Sequence, residues 1–394
     1  MTPSDCISAA RKLVPGLAER AAGYDAGATF PAEDFTELGR AGMLGLMVPE
    51  RLGGAGATFA DYAEVAMTLA AGNPATALIY NMHASITGAL ALTPDDLARE
   101  LGATDEFFAM RDQVLRAAAD GALYAVAMSE RGIGSRLSQV RTSYQPAPGG
   151  WHISGEKAFC SGAGHADGYL VAARRDGPAD APGAAPPVVS YFLVPAGTGI
   201  TVRETWDPLG MRATASNDLI LDVTVPAGAL LGGVEGVVLL LAQVMPQWLV
   251  ASYAAVYAGI ARAAVDAAAA DVQSRGLAGM ASVRARLGRA DAQAATAREV
   301  VRQAALRVTQ EPGTPETSRW IWRAKLVAGD TAQQVASSVL EACGTSATRR
   351  GHPVERLYRD ARCGALQPAT SDVCADWLGC AVLGLDPDAE TSRW

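Results

Sequence analysis

Cysteine, surplus positive charge, unbroken apolar runs and glycine-rich nucleotide motifs are scarce or missing in this 394-residue chain. Six cysteines, at 6, 160, 343, 363, 374 and 380, form neither a CxxC pair nor a Cys/His cluster at zinc spacing. That argues against a disulfide framework and a structural metal, and reduced thiols in a cytoplasm are expected. Lys and Arg number 33 against 41 Asp and Glu, a formal net charge of −8. With no basic surplus to displace counterions from phosphates, nucleic acid is not expected as a partner. No GxGxxG follows a strand-like run, which argues against a Rossmann unit. The most apolar stretch, 237–265, is broken by Gln243, Pro246, Gln247 and Arg262. A membrane span needs about 20 nearly uninterrupted apolar residues, so this stretch reads as a buried bundle helix and no membrane is expected. The start, Met1-Thr2-Pro3-Ser4-Asp5, lacks the basic-then-apolar order of a signal peptide.

What the chain does have is core-forming capacity: 49% hydrophobic and 19% charged residues over a length worth two or three domains. Three blocks are legible. Residues 1–122 read as helices, with Phe35 and Leu38, then Leu44 and Leu46, at helical spacing and an alanine-rich run over 60–71, punctuated by Pro31, Pro49, Gly53-Gly54 and Pro74. Over 123–232 the character turns to short strand-like runs at 151–153, 169–171, 188–194 and 219–225, with a Pro/Gly/Ala-rich loop at 177–187. From 233 to 394 helical patterning returns, over 248–274, 281–310, 317–343 and again after Pro368. Helices, a small sheet, then longer helices predict an α+β fold rather than alternating βα units.

Five ordered blocks then resemble one family. They are Gly42-Met43-Leu44-Gly45-Leu46-Met47-Val48-Pro49-Glu50 with Gly53-Gly54; Ala127-Met128-Ser129-Glu130-Arg131-Gly132-Ile133-Gly134-Ser135; Ile153-Ser154-Gly155-Glu156-Lys157-Ala158-Phe159-Cys160-Ser161-Gly162; Leu209-Gly210-Met211-Arg212 with Leu221-Asp222-Val223 and Val225-Pro226; and Val354-Glu355-Arg356-Leu357-Tyr358-Arg359-Asp360-Ala361. In this order they are similar to the signature blocks of the acyl-CoA dehydrogenase flavoproteins. The resemblance implies an N-terminal helical domain, a middle β-barrel-like domain and a C-terminal four-helix bundle. It implies further that FAD lies between the last two, and that the assembly is a homotetramer or homodimer whose neighbouring subunit touches part of the FAD.

Carried over position by position, the resemblance implies that Met128, Ser129, Gly134 and Ser135 line the flavin and its pyrophosphate. Phe159 stands where the family usually has a Trp against the ring, and Ser161 where a Thr bonds near N5. Arg275 matches the arginine that reaches a neighbour's FAD, although the Phe that usually follows is Ala278; Gly344-Thr345 matches the adenine-side turn, and Thr370 the Thr just past the catalytic position.

The base departs from the pattern. Dehydrogenation of a thioester needs a carboxylate over Cα, and general-base catalysis is worth about 10²–10⁴ in rate. Of the family's two seats for it, one holds Pro368 and the other Gln247, neither of which can take a proton at neutral pH. Asp372, four residues past Pro368, is the candidate for a relocated base, with Asp376 a turn beyond; a first-turn Asp also serves simply to offset the helix dipole. The first reading is an FAD-dependent oxidoreductase acting on an acyl thioester borne by CoA or an acyl carrier protein, with an electron-transfer partner. The second is a monooxygenase that uses reduced flavin, FMN or FAD, with O₂. The stretch 210–218 looks closer to such family members, among them dibenzothiophene monooxygenase and amino-sugar nitrososynthases, and His83 is a candidate polar group for that chemistry. The third is a non-catalytic scaffold.

Overall fold

The structure is a computed structural model and describes residues 2–177, 188–236, 246–248 and 250–387. Six N-terminal helices come first: α1 (Pro3–Gly27), α2 (Ala32–Arg40), α3 (Phe59–Gly72), α4 (Pro74–Leu92), α5 (Asp95–Glu100) and α6 (Asp105–Ala119). Their starts are chemically specified. Thr2 and Thr58 each accept the N–H of an Asp three residues on, which returns to the cap's own N–H, and Asn73 caps α4 with Pro74 in its first turn. The spacing at Leu44 and Leu46 yields only a 3₁₀ turn, Met43–Gly45, because Gly42 ahead of it takes φ +69°.

Seven strands follow: β1 (Tyr124–Ala127), β2 (Ser143–Ala147), β3 (Gly150–Cys160), β4 (Gly168–Arg175), β5 (Val189–Pro195), β6 (Ile200–Arg203) and β7 (Asn217–Pro226). They form one curled sheet in the order β1-β4-β2-β3-β7-β6, with β5 also paired to β4; β1 and β2 run parallel to β4 and the other pairings are antiparallel. The four strand-like runs fall in β3, β4, β5 and β7. The shorter β1, β2 and β6 carry too little alternation to stand out. Most of the predicted loop at 177–187 lies outside the described residues, as do 237–245 and 249 of the apolar stretch.

The C-terminal bundle comprises α7 (Ala251–Ser274), α8 (Ala281–Gln310), α9 (Pro315–Cys343), α10 (Pro353–Arg362) and α11 (Ser371–Leu383). With the turn before it, α7 is long and apolar enough to cross a membrane, but its apolar window is 88% buried in the fold. It packs against α3, α8 and α9. The approach of α3 is close because Gly259 has no side chain: a Cβ there would sit 2.5 Å from the Met67 carbonyl oxygen.

The fourth and fifth sequence blocks interlock. A Cβ on Gly210 would lie 2.1 Å from the Arg359 carbonyl oxygen. Arg359 donates to the Leu209 carbonyl (3.1 Å), and the Met211 N–H donates to Asp360 Oδ1 (2.6 Å). Burial pushes the Asp360 carboxyl up to about 6. Arg359 is also clamped by two carboxylates, Asp25 from α1 and Glu355 one turn back.

Candidate functional site

A cavity of about 1050 Å³ opens where the sheet, α4 and the segment before α11 meet. That is the upper end of the about 300–1,000 Å³ typical of small-molecule sites, with room for a cofactor and a substrate together. One wall comes from the turn after β1: Met128, Ser129, Gly132, Ile133, Gly134, Ser135 and Arg136. The turn is held from behind by a buried ion pair. Lys157 Nζ donates to Glu130 Oε1 (2.8 Å) and to the Met128 carbonyl (3.3 Å), while the Arg141 and Thr142 N–H groups, each at 2.9 Å, donate to the same carboxylate. Burial alone would raise the Glu130 carboxyl, but Lys157 and these donors outweigh it and hold the group below its ordinary value. Gly134 sits at φ +65° with nothing within 4 Å of where a Cβ would stand, so its backbone faces open space.

Phe159 reaches the cavity through a bulge in β3. The register against β7 shifts between Lys157 and Cys160, and the Ala158 N–H donates to the Ser129 carbonyl (2.8 Å) instead of to the ladder. Phe159 takes φ +59°, a left-handed conformation costly for a side-chain-bearing residue, and stays 54% exposed beside Trp206. An exposed aromatic face held in a strained backbone beside an open glycine turn fits a flat ring lying across it. The bulge, the turn and the cavity's size therefore accommodate a flavin.

Of the residues expected at this site, Met128, Ser129, Gly134, Ser135, Phe159, Ser161, Thr370 and Pro368 line the one cavity. Gln247 is buried and is not among the lining residues, whereas its neighbour Trp248 is. Trp248 is seated by Gly88 of α4, where a Cβ would collide with its ring at 2.2 Å. Arg275, Gly344 and Thr345 do not line the cavity. The structure gathers them elsewhere: Arg275 Nη1 donates to the Cys343 carbonyl (2.6 Å) and to Asp271 (3.0 Å), Asp271 meets His352 Nε2 (3.2 Å), and Gly344 turns at φ +74°.

Asp372 is exposed and lies off the cavity. Thr370, Val373 and Asp376 line it, three residues apart, and helical periodicity turns Asp372 about 100° away from that face. It remains a first-turn acid of α11. Asp376 and Arg136 are the only charged side chains among the described lining residues. His83 is a structural residue: Nε2 donates to the Leu44 carbonyl (2.8 Å), Nδ1 accepts from the Tyr124 N–H (3.1 Å), and burial lowers it to about 4, keeping it neutral.

Two features escaped the sequence. One is an apolar arm in which Leu78, Met82, Ile86 and Leu90 of α4 face Phe107 and Leu170; the four-residue spacing was visible, but core helices show the same stripe. The other is a run of hydroxyls, Ser161, Ser216 and Thr214, joined by hydrogen bonds across 55 residues of sequence.

The segment 363–370, which carries Pro368, rests on α9. Lys325, fully buried, donates Nζ to the carbonyls of Gly364 (2.9 Å) and Gln367 (3.3 Å), and burial lowers it to about 8 from an ordinary 10.5. Below pH 8 both folded and unfolded chains hold this proton; between about 8 and 10.5 only the unfolded chain does, so the contribution of Lys325 to stability rises with pH by up to about 3 kcal/mol. Urea unfolding of wild type and Lys325→Met at pH 7.5, 9 and 10 (chosen as roughly spanning this window) is expected to show wild type gaining on the variant as pH rises, over the fall that the buried thiols of Cys160, Cys343, Cys363 and Cys374, all pushed up by burial, impose on both proteins. Parallel slopes would rule it out.

Comparison with known proteins adds three domain matches: residues 8–121 to the acyl-CoA dehydrogenase N-terminal domain, 125–224 to the middle domain and 250–376 to the C-terminal domain. The chain is 31% identical to L-evernosamine nitrososynthase of a Micromonospora species, over 95% of this chain and 89% of that one. It is 28% identical to the mitochondrial short-chain specific acyl-CoA dehydrogenase of Bos taurus, over 87% and 81%. The solved structure of FMN-bound TdsC from Paenibacillus sp. A11-2 superposes with a TM-score of 0.82 at 25% identity, covering 96% of this chain and 97% of that one.

Proposed function

The chain belongs to the acyl-CoA dehydrogenase family and is a flavin-dependent oxidoreductase; within that class we propose that it is a monooxygenase that takes flavin in its reduced form and reacts it with O₂. The observation that carries this reading is the missing base: Pro368 lines the cavity at one seat, and the other, Gln247, is a buried amide. Bound reduced flavin would supply two electrons, one oxygen atom entering the substrate and the other leaving as water. The residues of this chain bind and orient. The 128–135 turn and Phe159 hold the ring, and the apolar arm takes an uncharged portion of the substrate and keeps water from the reacting face. Arg275 and Gly344-Thr345, lying off the cavity, are left to touch the cofactor of a second copy in a homodimer or homotetramer.

The test mixes anaerobically reduced, FMN-loaded protein with ¹⁸O₂ and candidate substrates. Label in a product supports the reading, and product without label sinks it. One observation favours a second reading, thioester dehydrogenation with a relocated base: the Asp376 carboxylate lines the cavity. In that case oxidised flavin bleaches anaerobically on adding an acyl thioester of CoA or a carrier protein, and Asp376→Asn abolishes the bleaching.

A further inference from the structure

We propose that Ser161, Ser216 and Thr214 form a polarity lock that makes the site bind reduced flavin more tightly than oxidised flavin. The inference rests on the flavin reading above and deepens it. All three side chains line the cavity and are nearly buried, at 8%, 4% and 0% exposure. Their contacts form a line: Ser161 Oγ to Ser216 Oγ at 2.9 Å, Ser216 Oγ to Thr214 Oγ1 at 2.6 Å, and Thr214 Oγ1 to the Met211 carbonyl oxygen at 2.9 Å.

The direction of the line follows from counting. Each hydroxyl owns one proton, and three contacts need three protons. The last group is a carbonyl, which can only accept. Thr214 must therefore donate to Met211, Ser216 to Thr214, and Ser161 to Ser216. No hydroxyl proton is left for the cavity, and Ser161 presents lone pairs only. The terminus is fixed, because the Met211 N–H is held by the buried Asp360 carboxyl and its carbonyl also accepts the Trp206 indole N–H (3.2 Å). The line cannot reverse without leaving the Thr214 oxygen against another acceptor.

An acceptor-only oxygen rewards a ligand N–H and repels a ligand lone pair. The central ring of oxidised flavin offers a bare nitrogen, and the reduced ring carries N–H there. Ser161 therefore discriminates between the two states, with Ser216 and Thr214 as positioning residues. Such a preference suits a protein that must capture flavin already reduced.

The test measures dissociation constants for oxidised and anaerobically reduced FMN on the same folded protein. Wild type is expected to favour the reduced form by roughly tenfold, as one gained and one lost hydrogen bond imply. Ser216→Ala frees the Ser161 proton to turn into the cavity, as does Thr214→Val; each is expected to cut the preference roughly 3- to 10-fold. For a two-electron couple that makes the bound flavin's midpoint potential more negative by about 15–30 mV. Thr214→Ser keeps the line and the preference. A wild-type ratio near one, or a ratio untouched in both disrupting variants while FMN still binds, overturns the lock and leaves the monooxygenase reading standing. If neither flavin state binds, the flavin reading fails and the lock fails with it.

Discussion

Arg359→Met is expected to destabilise the folded protein by about 3–5 kcal/mol, the cost of leaving buried carboxylates without their counter-charge. The Arg359 side chain is 5% exposed, and its partners Asp25 and Glu355 are each 11% exposed. Both pairings are two-pronged: Nη1 and Nη2 meet Asp25 at 2.9 and 2.6 Å, while Nε and Nη2 meet Glu355 at 2.6 and 3.0 Å. Without the guanidinium, Asp25 loses the partner that ties α1 to α10, and among the described residues Glu355 keeps one ion-pair partner, the exposed Arg350 at 3.9 Å. Arg359→Lys should recover part of the loss, since an ammonium restores charge but not the planar fork. The consequence reaches the site, because the same residue holds Leu209 and sits against Gly210, just before the Met211 carbonyl on which the hydroxyl line ends. Equilibrium urea unfolding checks the magnitude; a loss below about 1 kcal/mol would show that the clamp does not hold these elements together.

Lys157→Met should cost a similar about 3–5 kcal/mol and weaken flavin binding together with stability. Its ammonium is fully buried against Glu130, and the pair anchors the turn from Met128 to Ser135. The effect carries a pH signature. In wild type the Glu130 carboxyl is held below its ordinary 4.5, so its contribution is present above that pH and is lost as pH falls through the folded value. Without Lys157 burial dominates, the carboxyl of the folded variant rises above 4.5, and protonation on acidification stabilises the fold. The deficit relative to wild type should therefore be greatest near neutrality and shrink toward pH 4.5 and below. Stability curves against pH for both proteins, with FMN titrations near neutrality, check both parts. A deficit independent of pH would mean that the ion pair is not its source.

Much of the site was legible because several of its parts are local. The turn at 128–135 is one continuous segment with glycines at the left-handed positions, and the Lys157-to-Ser161 run delivers Phe159 through a bulge a few residues long. The fourth and fifth family blocks carry structure: Gly210, Arg359 and Asp360 are explained by their mutual packing. Asp372 was misplaced because counting along a chain does not give the face of a helix, and its direction lies about 100° from the mean of Thr370, Val373 and Asp376, which line the cavity. His83 drew attention as an imidazole in an apolar helix. Its two backbone partners, Leu44 and Tyr124, lie 39 and 41 residues away and could not be read from its neighbours.

Composition, residue patterning and the ordered motifs by themselves determined the α+β class, the helix–sheet–helix succession and the absence of a carboxylate from the two positions where the family resemblance puts the base. These depend on residue identity and on preferences acting over a few residues. Only the tertiary structure decided which groups share the cavity: Asp376 rather than Asp372, the α4 stripe as a wall, and the line from Ser161 to Met211. The reason is physical. Hydrogen-bond direction and burial belong to groups brought together from distant segments, and they come into being when the chain packs.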